Sequence, residues 1–468
     1  MKTNFIGSPR PSLVTHHSSL ITRHLLALAL IILASCNPQE PSPLPMTGAG
    51  EANPQLRTNT AAMQNFQNMR FGMFAHWGPA SLSGEEIGWS RGANVPISVY
   101  DSLYLRFNPT LFNADEWITV AREAGMKYFV IVTKHHDGFS IWPTKYSDYN
   151  IMATPFKRDV LKELELACEN QDILFGTYHS ILDWKHPHYT TRYRDPRPVE
   201  GSDMKIYKEF LFNQVKELVE EYHTNILWFD GHWEPSWTHE YGMELYKYIR
   251  DMRDDILIND RVDKGHKTMA GVTDSISKYA GDYGTPEQEV GAFNRTQAWE
   301  SCITIGTQWA WKPNDTLKSA RELINTLIKT VGGDGNLLLN VNPMPDGRIE
   351  PRQVDLLKEM GKWLAVNGEA VYGTRGGPFL PNDNIASTNK GQVIYLHVMN
   401  PSLKEIRLPV PQGVKATSVR ILGGKGIRYD NRQGEIVLNI PGSLPEAPAY
   451  ILKIRINRKA EEIGITNL

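Results

Sequence analysis

One carboxylate in this chain stands where a parallel strand would end. Asp230 closes the largely apolar stretch 225–229 and is followed by Gly231. In a barrel of parallel strands, the residues at the carboxyl ends of the strands carry the chemistry. An ionised group that leaves water needs partners or a task, so packing alone does not explain an aspartate at this place. Asp230 is therefore a candidate catalytic residue.

A second carboxyl group is needed if the reaction is glycoside hydrolysis, because the leaving oxygen must be protonated while the developing cation is stabilised from the other face. Three glutamates compete for this task. Glu287 and Glu289 lie in the Gly- and Pro-containing stretch 282–289, and Glu300 opens the next predicted strand. Glu287 follows Pro286, which constrains the backbone and favours Glu287 as an acid that must meet one oxygen. The usual alternative for each glutamate is a solvated surface charge.

Histidines, aromatic side chains and an arginine follow the other predicted strands. They are His76 after the strand that begins at 71, His135 and His136 after 128–133, Tyr178 at the end of 173–178, and Arg261 after 256–259. A single histidine is more often a packing residue, but the repetition favours a site. Adjacent histidines on an extended segment point to opposite sides and can hardly hold one metal, whereas neutral imidazoles suit sugar hydroxyls. The sequence predicts neither a metal nor a cofactor.

The elements that must position these residues alternate between strand and helix from about 65 to 372. Strands are predicted at 128–133, 173–178, 226–229, 256–259, 302–305 and 337–341. Helices are predicted at 159–169, 207–222, 241–252 and 317–330, where apolar residues recur at three- and four-residue spacing. This rhythm predicts an α/β fold with a (β/α)8-like, TIM-type catalytic barrel.

After residue 373 the pattern changes to short alternating runs separated by Gly, Pro and Asn. The runs are 393–398, 406–411, 419–422, 436–440 and 450–456, and they predict a C-terminal antiparallel β-sandwich. The predicted domains are a barrel at 61–373 and a sandwich at 374–468. The balance of 50 Lys and Arg against 52 Asp and Glu, without a basic block, argues against nucleic acid and favours an uncharged polar ligand.

The N-terminus resembles an export signal. Arg10 and Arg23 precede an apolar run at 25–34 that is too short to span a bilayer, and the run ends in Leu-Ala-Ser-Cys at Cys36. This ending resembles a bacterial lipobox, which implies a signal peptide at 1–36, a lipid anchor on Cys36 and a flexible tether at 37–60. We therefore expect export to the periplasm or outer membrane as a lipoprotein, with no other contact with the membrane. An ordinary secretory signal is the alternative.

Five segments of the chain, in order, resemble motifs of the α-L-fucosidases of glycoside hydrolase family 29. They are 71–78, 133–139, 154–159, 228–231 and 285–287. The resemblance implies a barrel followed by a β-sandwich, fucosylated oligosaccharides or glycoconjugates as substrates, and retaining hydrolysis of terminal α-L-fucosyl residues through a covalent fucosyl-enzyme.

Carried over by motif, Asp230 matches the nucleophile, and Thr285-Pro286-Glu287 favours Glu287 over Glu300 as the acid/base. The resemblance further implies that a group of residues binds the sugar: His76, Glu86, Trp89, His135, His136, Tyr178, Trp228 and Arg261. Glu300 and Trp309 complete the predicted site, and Trp228 and Trp309 are candidates for an apolar wall against the methyl group of a 6-deoxy sugar. The segment 308–311 and His232 depart from the commoner family pattern, which leaves the aglycone specificity open.

Two other classes of function compete with this prediction. A non-catalytic carbohydrate-binding surface lipoprotein would keep the aromatic and histidine residues, but it has no use for Asp230 and Glu287 together. A metal-dependent hydrolase using His135, His136 and Asp137 is disfavoured because the two histidines are adjacent and no third ligand stands at chelating spacing.

Overall fold

A sheet of seven parallel strands forms the first part of the fold. The structure is a computed structural model, and it describes residues 56–264, 279–441 and 447–468. The strands are β1 (Phe71–Ala75), β2 (Tyr128–Lys134), β3 (Leu174–Ser180), β4 (Ile226–Asp230), β5 (Leu257–Ile258), β6 (Glu300–Thr304) and β7 (Asn336–Val341). Their order across the sheet is β5-β4-β3-β2-β1-β7-β6. Almost every residue of these strands is buried, as expected where helices cover a parallel sheet.

An irregular segment occupies the gap between the two edge strands, β5 and β6. Tyr283 bridges to Asn259, which follows β5, while Gly284 and Glu287 bridge to Trp299 and Cys302 at β6. All three bridges are parallel. The segment therefore takes the eighth position of the ring, and the predicted barrel class is confirmed with seven regular strands and one irregular one.

Helices connect these strands, and most of them begin at a side-chain cap. The α-helices span Thr60–Met69, Ile97–Tyr100, Ala114–Glu123, Val160–Asn170, Met204–Glu220, His239–Met252, Ala320–Gly332 and Pro351–Asn367. Shorter 3-10 turns span Pro79–Leu82, Leu103–Arg106, Ile151–Ala153, Asp260–Val262, Gly368–Ala370 and Ala460–Ile463. Ser319 and Glu322 form a capping box, in which each side chain binds the other residue's backbone N–H. Each long predicted helix is present, with ends shifted by a few residues.

Two antiparallel sheets follow the barrel. Their strands are β8 (Arg375–Gly376), β9 (Ile385–Lys390), β10 (Val393–Val398), β11 (Glu405–Pro409), β12 (Ala416–Ile421), β13 (Arg428–Arg432), β14 (Glu435–Asn439) and β15 (Tyr450–Ile456). One sheet has the order β12-β15-β10-β9-β8 and the other β11-β14-β13. Alternate residues such as Leu396, Leu452, Leu408 and Leu438 face a shared apolar core. The predicted C-terminal sandwich is thereby confirmed as a fold.

Residues of the barrel and of the sandwich are joined by polar contacts. The Trp363 indole donates to the carbonyl of Ala449 at 3.0 Å, and buried Asp334 is ion-paired to both Arg70 at 2.6 Å and Arg375 at 2.5 Å. The predicted signal peptide with Cys36, and most of the predicted tether, lie outside the described residues. The domain limits at 61–373 and 374–468 stay predictions.

Within the described part of the chain, no helix is both long and apolar enough to cross a bilayer.

Candidate active site

Asp230 is the last residue of β4, and its carboxylate lies at the mouth of the barrel. Oδ1 accepts a hydrogen bond from Arg261 Nη1 at 2.9 Å, and Oδ2 accepts one from the Tyr178 hydroxyl at 3.0 Å. His136 Nε2 lies 3.6 Å from Oδ2. The chain must turn away sharply at Gly231, where φ is +96° and a Cβ would stand 2.2 Å from the Leu182 side chain. Asp230 is thus held by neighbouring strands while its side chain stays 12% exposed.

Glu287 faces Asp230 across the guanidinium of Arg261. Arg261 Nη1 lies 2.9 Å from Glu287 Oε2 and 2.9 Å from Asp230 Oδ1, so these two oxygens are at most twice that distance apart. The residues on either side of Glu287 bind the backbone of Cys302, because Pro286 O accepts from its N–H and the Gln288 N–H donates to its carbonyl. These two hydrogen bonds hold the backbone of Glu287 at the mouth of the barrel. Its side chain is 18% exposed.

Arg261 is itself held from three sides. Its Nε donates to Thr285 Oγ1 at 2.9 Å, its Nη2 donates to the Thr285 carbonyl at 3.1 Å, and its guanidinium lies 4.6 Å from the Trp228 ring centre. Burial opposes the charge, but the carboxylates of Glu287 and Asp230 outweigh it and raise the pKa of Arg261 well above its usual value. One fixed positive charge therefore lies between the two facing carboxylates.

The three predicted histidines lie together beside the two carboxylates, and burial keeps them neutral. It lowers the pKa of His76 and of His136 to about 3, and that of His135 well below its usual value. The Ser180 hydroxyl donates to the Leu182 carbonyl at 2.9 Å, so it must accept from His136 Nδ1 at 2.7 Å. Nε2 of His136 is then a lone-pair acceptor.

His76 has the same tautomer for a similar reason. Asn340 donates its amide N–H to the Trp309 carbonyl at 2.9 Å, so its oxygen accepts from His76 Nδ1 at 2.7 Å. Among the described residues, His136 Nε2 and His135 Nδ1 are buried without a hydrogen-bond partner in the protein. Because buried polar atoms are rarely left unpaired, these nitrogens are suited to the hydroxyl groups of a bound ligand.

Glu300 is placed differently from Glu287. Its carboxyl group is buried beneath the mouth of the barrel, where it accepts hydrogen bonds from the Tyr128 hydroxyl at 2.5 Å and the Trp228 indole at 3.1 Å. Burial raises the pKa of Glu300 to about 7. It positions Trp228, which in turn stacks on Tyr178 and lies against Arg261.

Glu86 and Trp309 also meet at the mouth of the barrel. The Glu86 carboxylate accepts from the backbone N–H of Trp309 at 2.8 Å and of Ala310 at 3.0 Å. The Trp309 ring lies 4.9 Å from the His76 ring and 6.1 Å from the Phe74 ring. Glu86 therefore positions Trp309, a role that the sequence prediction of a sugar contact did not include.

Trp89, the last predicted site residue, stands at the rim. It is 36% exposed, and its ring meets the His136 ring edge-on at 5.4 Å. His232 follows at the same rim, with its ring 5.4 Å from that of Trp233. Every predicted site residue among the described ones thus lies at or directly beneath one end of the barrel.

Sequence reasoning missed two residues that build the site. Asn340 and Asn342 lie at the end of β7, and both donate to the Trp309 carbonyl, at 2.9 Å and 2.5 Å. Their position after a buried strand is the same signal that drew attention to Asp230, and it could have identified them. In the described part of the chain, no group of three or more His, Cys, Asp or Glu side chains is arranged to hold a metal ion.

Comparison with known proteins assigns the chain to a family. The family model for alpha-L-fucosidase matches residues 49–369. The chain belongs to the alpha-L-fucosidase family. The resemblance, the fold class and the class of enzyme predicted from the sequence are therefore confirmed.

Individual members of the alpha-L-fucosidase family are similar over most of their length. An alpha-L-fucosidase of Branchiostoma floridae is 30% identical over 390 residues, which cover 76% of this chain and 84% of that protein. The structure of alpha-L-fucosidase isoenzyme 1 from Paenibacillus thiaminolyticus is 30% identical with a TM-score of 0.77, covering 85% of this chain and 99% of that one. A trapped covalent intermediate of a Bacteroides thetaiotaomicron alpha-L-fucosidase, obtained with a glutamate-to-glutamine mutant, is 28% identical with a TM-score of 0.76, covering 86% and 97%.

Proposed function

We propose that this fucosidase is a retaining exo-glycosidase that removes terminal α-L-fucosyl residues, with Asp230 as nucleophile and Glu287 as acid/base. The observation that carries the proposal is the shared contact of both carboxylates with Arg261 Nη1, 2.9 Å from each. Retaining enzymes need carboxyl groups roughly 5–5.5 Å apart, whereas inverting pairs are roughly 6.5–9.5 Å apart. Oxygens that both lie 2.9 Å from one nitrogen are at most twice that distance apart, which favours the first class.

The reaction then proceeds in two steps. A carboxylate oxygen of Asp230 attacks the anomeric carbon, the bond to the leaving oxygen breaks, and Glu287 gives its proton to that oxygen. In the second step Glu287 takes a proton from water, the water oxygen bonds to the anomeric carbon, and the ester to Asp230 breaks. The covalent intermediate trapped in the Bacteroides relative supports this route.

The surrounding residues suit a neutral deoxy sugar. The lone pair of His136 Nε2 can accept a hydrogen bond from a sugar hydroxyl, and the unpartnered His135 Nδ1 can bind a second hydroxyl, since burial keeps both rings uncharged. Phe74 is buried among Tyr178, Trp228 and Trp309, with ring centres 5.3–6.1 Å away, and together they offer an apolar wall to the 6-methyl group. Replacing Trp309 with Ser should reduce the hydrolysis of α-L-fucosides more than that of α-L-galactosides, which carry a 6-hydroxyl group; equal losses would contradict this wall.

Azide rescue tests the two catalytic roles separately. In Asp230→Gly, azide should restore turnover of an aryl α-L-fucoside and give the β-fucosyl azide, because it attacks the face that the nucleophile has vacated. In Glu287→Ala, azide should give the α-fucosyl azide, because it intercepts the intermediate on Asp230. Glu289→Ala is the matched control, since Glu289 is exposed two positions away. Wild-type activity in Asp230→Gly, or α-azide from that variant, would refute the assignment.

We also propose that the chain is exported and lipid-modified on Cys36. The basis is the run that ends in Leu-Ala-Ser-Cys after an apolar stretch of signal-peptide length. Metabolic labelling with a fatty acid should mark the wild-type protein and not Cys36→Ala. Equal labelling of both proteins, or of neither, would contradict the anchor.

A further inference from the structure

An aromatic rim extends outward from His136, the histidine beside Asp230. It consists of Trp89, Trp184, Tyr193 and Trp233. Trp89 and Trp233 both meet the His136 ring edge-on, at 5.4 Å and 5.5 Å, and stack on each other with ring centres 6.1 Å apart. Tyr193 lies 5.5 Å from Trp89 and stacks on Trp184 at 4.5 Å. Trp89, Trp233 and Tyr193 are 36%, 43% and 42% exposed. Large aromatic surfaces left in water beside a sugar site are suited to the C–H face of a further sugar ring.

A cationic pocket adjoins this rim. Three of the four rim aromatics are followed within two positions by a basic residue: Trp89 by Arg91, Trp184 by Lys185 and Tyr193 by Arg194. All three basic residues, together with Arg197, line a pocket of about 600 Å³. Because each of these three basic residues follows a rim aromatic in the chain, the pocket adjoins the rim.

The acidic residues of the pocket do not balance its cations. Asp101 pairs with Arg91 at 2.6 Å and with Lys185 at 3.1 Å, and Asp195 pairs with Arg91 at 2.8 Å and with Arg197 at 2.7 Å. Four cations thus face two carboxylates, each of which already lies between two of the cations.

Arg194 is the one cation lining this pocket that takes part in none of these ion pairs. Its guanidinium lies 5.1 Å from the Tyr193 ring centre, and it has no carboxylate partner among the described residues. The surplus is local, because the whole chain has a formal net charge of −2. The ion pairs of Arg91 and Arg197 hold the 185–197 loop in place, whereas Arg194 takes no part in them.

We propose that the rim and the pocket bind the part of the substrate beyond the fucosyl residue, and that this part carries an anionic group, either a sulfate ester or a carboxylate. The aromatic rim takes the sugar ring next to fucose, and Arg194 with Lys185 receives the anion. Guanidinium groups bind both oxyanions through charge-assisted hydrogen bonds. This inference rests on the proposed function, and it names the class of glycan on which the enzyme acts.

Matched pairs of substrates test the proposal. Fucosylated disaccharides with a neutral, a sulfated and a carboxylated second sugar are compared by kcat/KM in the wild-type enzyme and in Arg194→Gln. We expect the wild type to prefer the anionic substrates about three- to fivefold, chiefly through KM, since one exposed ion pair contributes up to about 1 kcal/mol. The preference should shrink in Arg194→Gln and as ionic strength rises. Arg420→Gln, an exposed arginine on β12, is the control for the charge change and should keep the full preference.

The outcomes separate the two proposals. An aryl α-L-fucoside reports on the proposed function, and a wild-type enzyme that does not cleave it refutes that function. If the aryl fucoside is cleaved but neutral and anionic disaccharides have equal kcat/KM, the pocket is not an anion subsite. An equal preference in wild type and Arg194→Gln also overturns the proposal. A preference for only the sulfated or only the carboxylated substrate supports it and identifies the anion.

Discussion

Glu300→Gln distinguishes a structural carboxyl group from a catalytic one. Glu300 is fully buried, and burial raises its pKa to about 7 from an ordinary value of 4.5. A glutamine imitates the protonated acid. Its oxygen can accept from the Trp228 indole, and its N–H, like the proton of the acid, can donate to the Tyr128 oxygen, which reverses the hydrogen bond that Tyr128 donates to the ionised carboxylate. The substitution therefore keeps both contacts of the neutral group and removes the titration.

The expected effect on stability depends on pH in a defined direction. Since the folded protein holds the proton of Glu300 more tightly than the unfolded chain does, this proton stabilises the fold below about pH 4.5, and the stabilisation is lost as pH rises through about 7. Each pH unit in that window changes the free energy of unfolding by about 1.4 kcal/mol, which gives an upper bound of about 3.5 kcal/mol. Glu300→Gln escapes this loss, so its stability relative to the wild type should increase between pH 4.5 and 7 and then level off.

Urea unfolding of the wild type and of Glu300→Gln at pH 5, 6, 7 and 8 measures the difference, with the exposed Glu289→Gln as control. Activity on an α-L-fucoside with a poor leaving group, such as a fucosylated disaccharide, is measured on the same samples. The reasoning predicts that Glu300→Gln keeps substantial activity, whereas Glu287→Gln loses nearly all of it on substrates with poor leaving groups. A stability difference that does not vary with pH, or a Glu300→Gln enzyme as inactive as Glu287→Gln, would refute it.

Three further predictions follow from the contacts of the site. Arg261→Met should reduce kcat at least 100-fold and destabilise the fold by about 3–5 kcal/mol, because it leaves two facing carboxylates without their shared cation; unchanged kinetics and melting would contradict the role of the guanidinium. Glu86→Ala should raise KM for fucosides more than it lowers kcat, since it frees the Trp309 backbone from its acceptor, and steady-state kinetics with tryptophan fluorescence would show whether Trp309 stays in place. Gly231→Ala should lower stability by at least about 1–3 kcal/mol, because the new Cβ meets Leu182 at a positive φ, and a Tm equal to the wild type would contradict this.

The sandwich shows where sequence patterns stop being informative. Strands β10 and β15 have the predicted bounds because both are rich in apolar, β-branched and aromatic residues, which favour strands. Strand β9 escaped prediction since Ser387, Thr388 and Asn389 are polar yet buried, and each donates a hydrogen bond to a backbone carbonyl at least eight positions away. Strand β13 lies at an exposed edge and consists of polar residues apart from Tyr429. Neither kind of strand has an apolar repeat that reveals it.

The sequence by itself determined the alternation of strands and helices, the placement of Asp230 at a strand end and the family of the enzyme, because each of these depends on neighbouring residues or on short motifs. Only the tertiary structure decided which glutamate faces Asp230. Parallel bridges join the 283–287 segment to the residues of β6 and place the Glu287 side chain beside Arg261. The Glu300 side chain instead points into the barrel, where it accepts a hydrogen bond from the Trp228 indole. Register between segments that pair across the barrel arises from packing and backbone hydrogen bonds distant in sequence, so the local motif could favour Glu287 but could not show which carboxyl group faces Asp230.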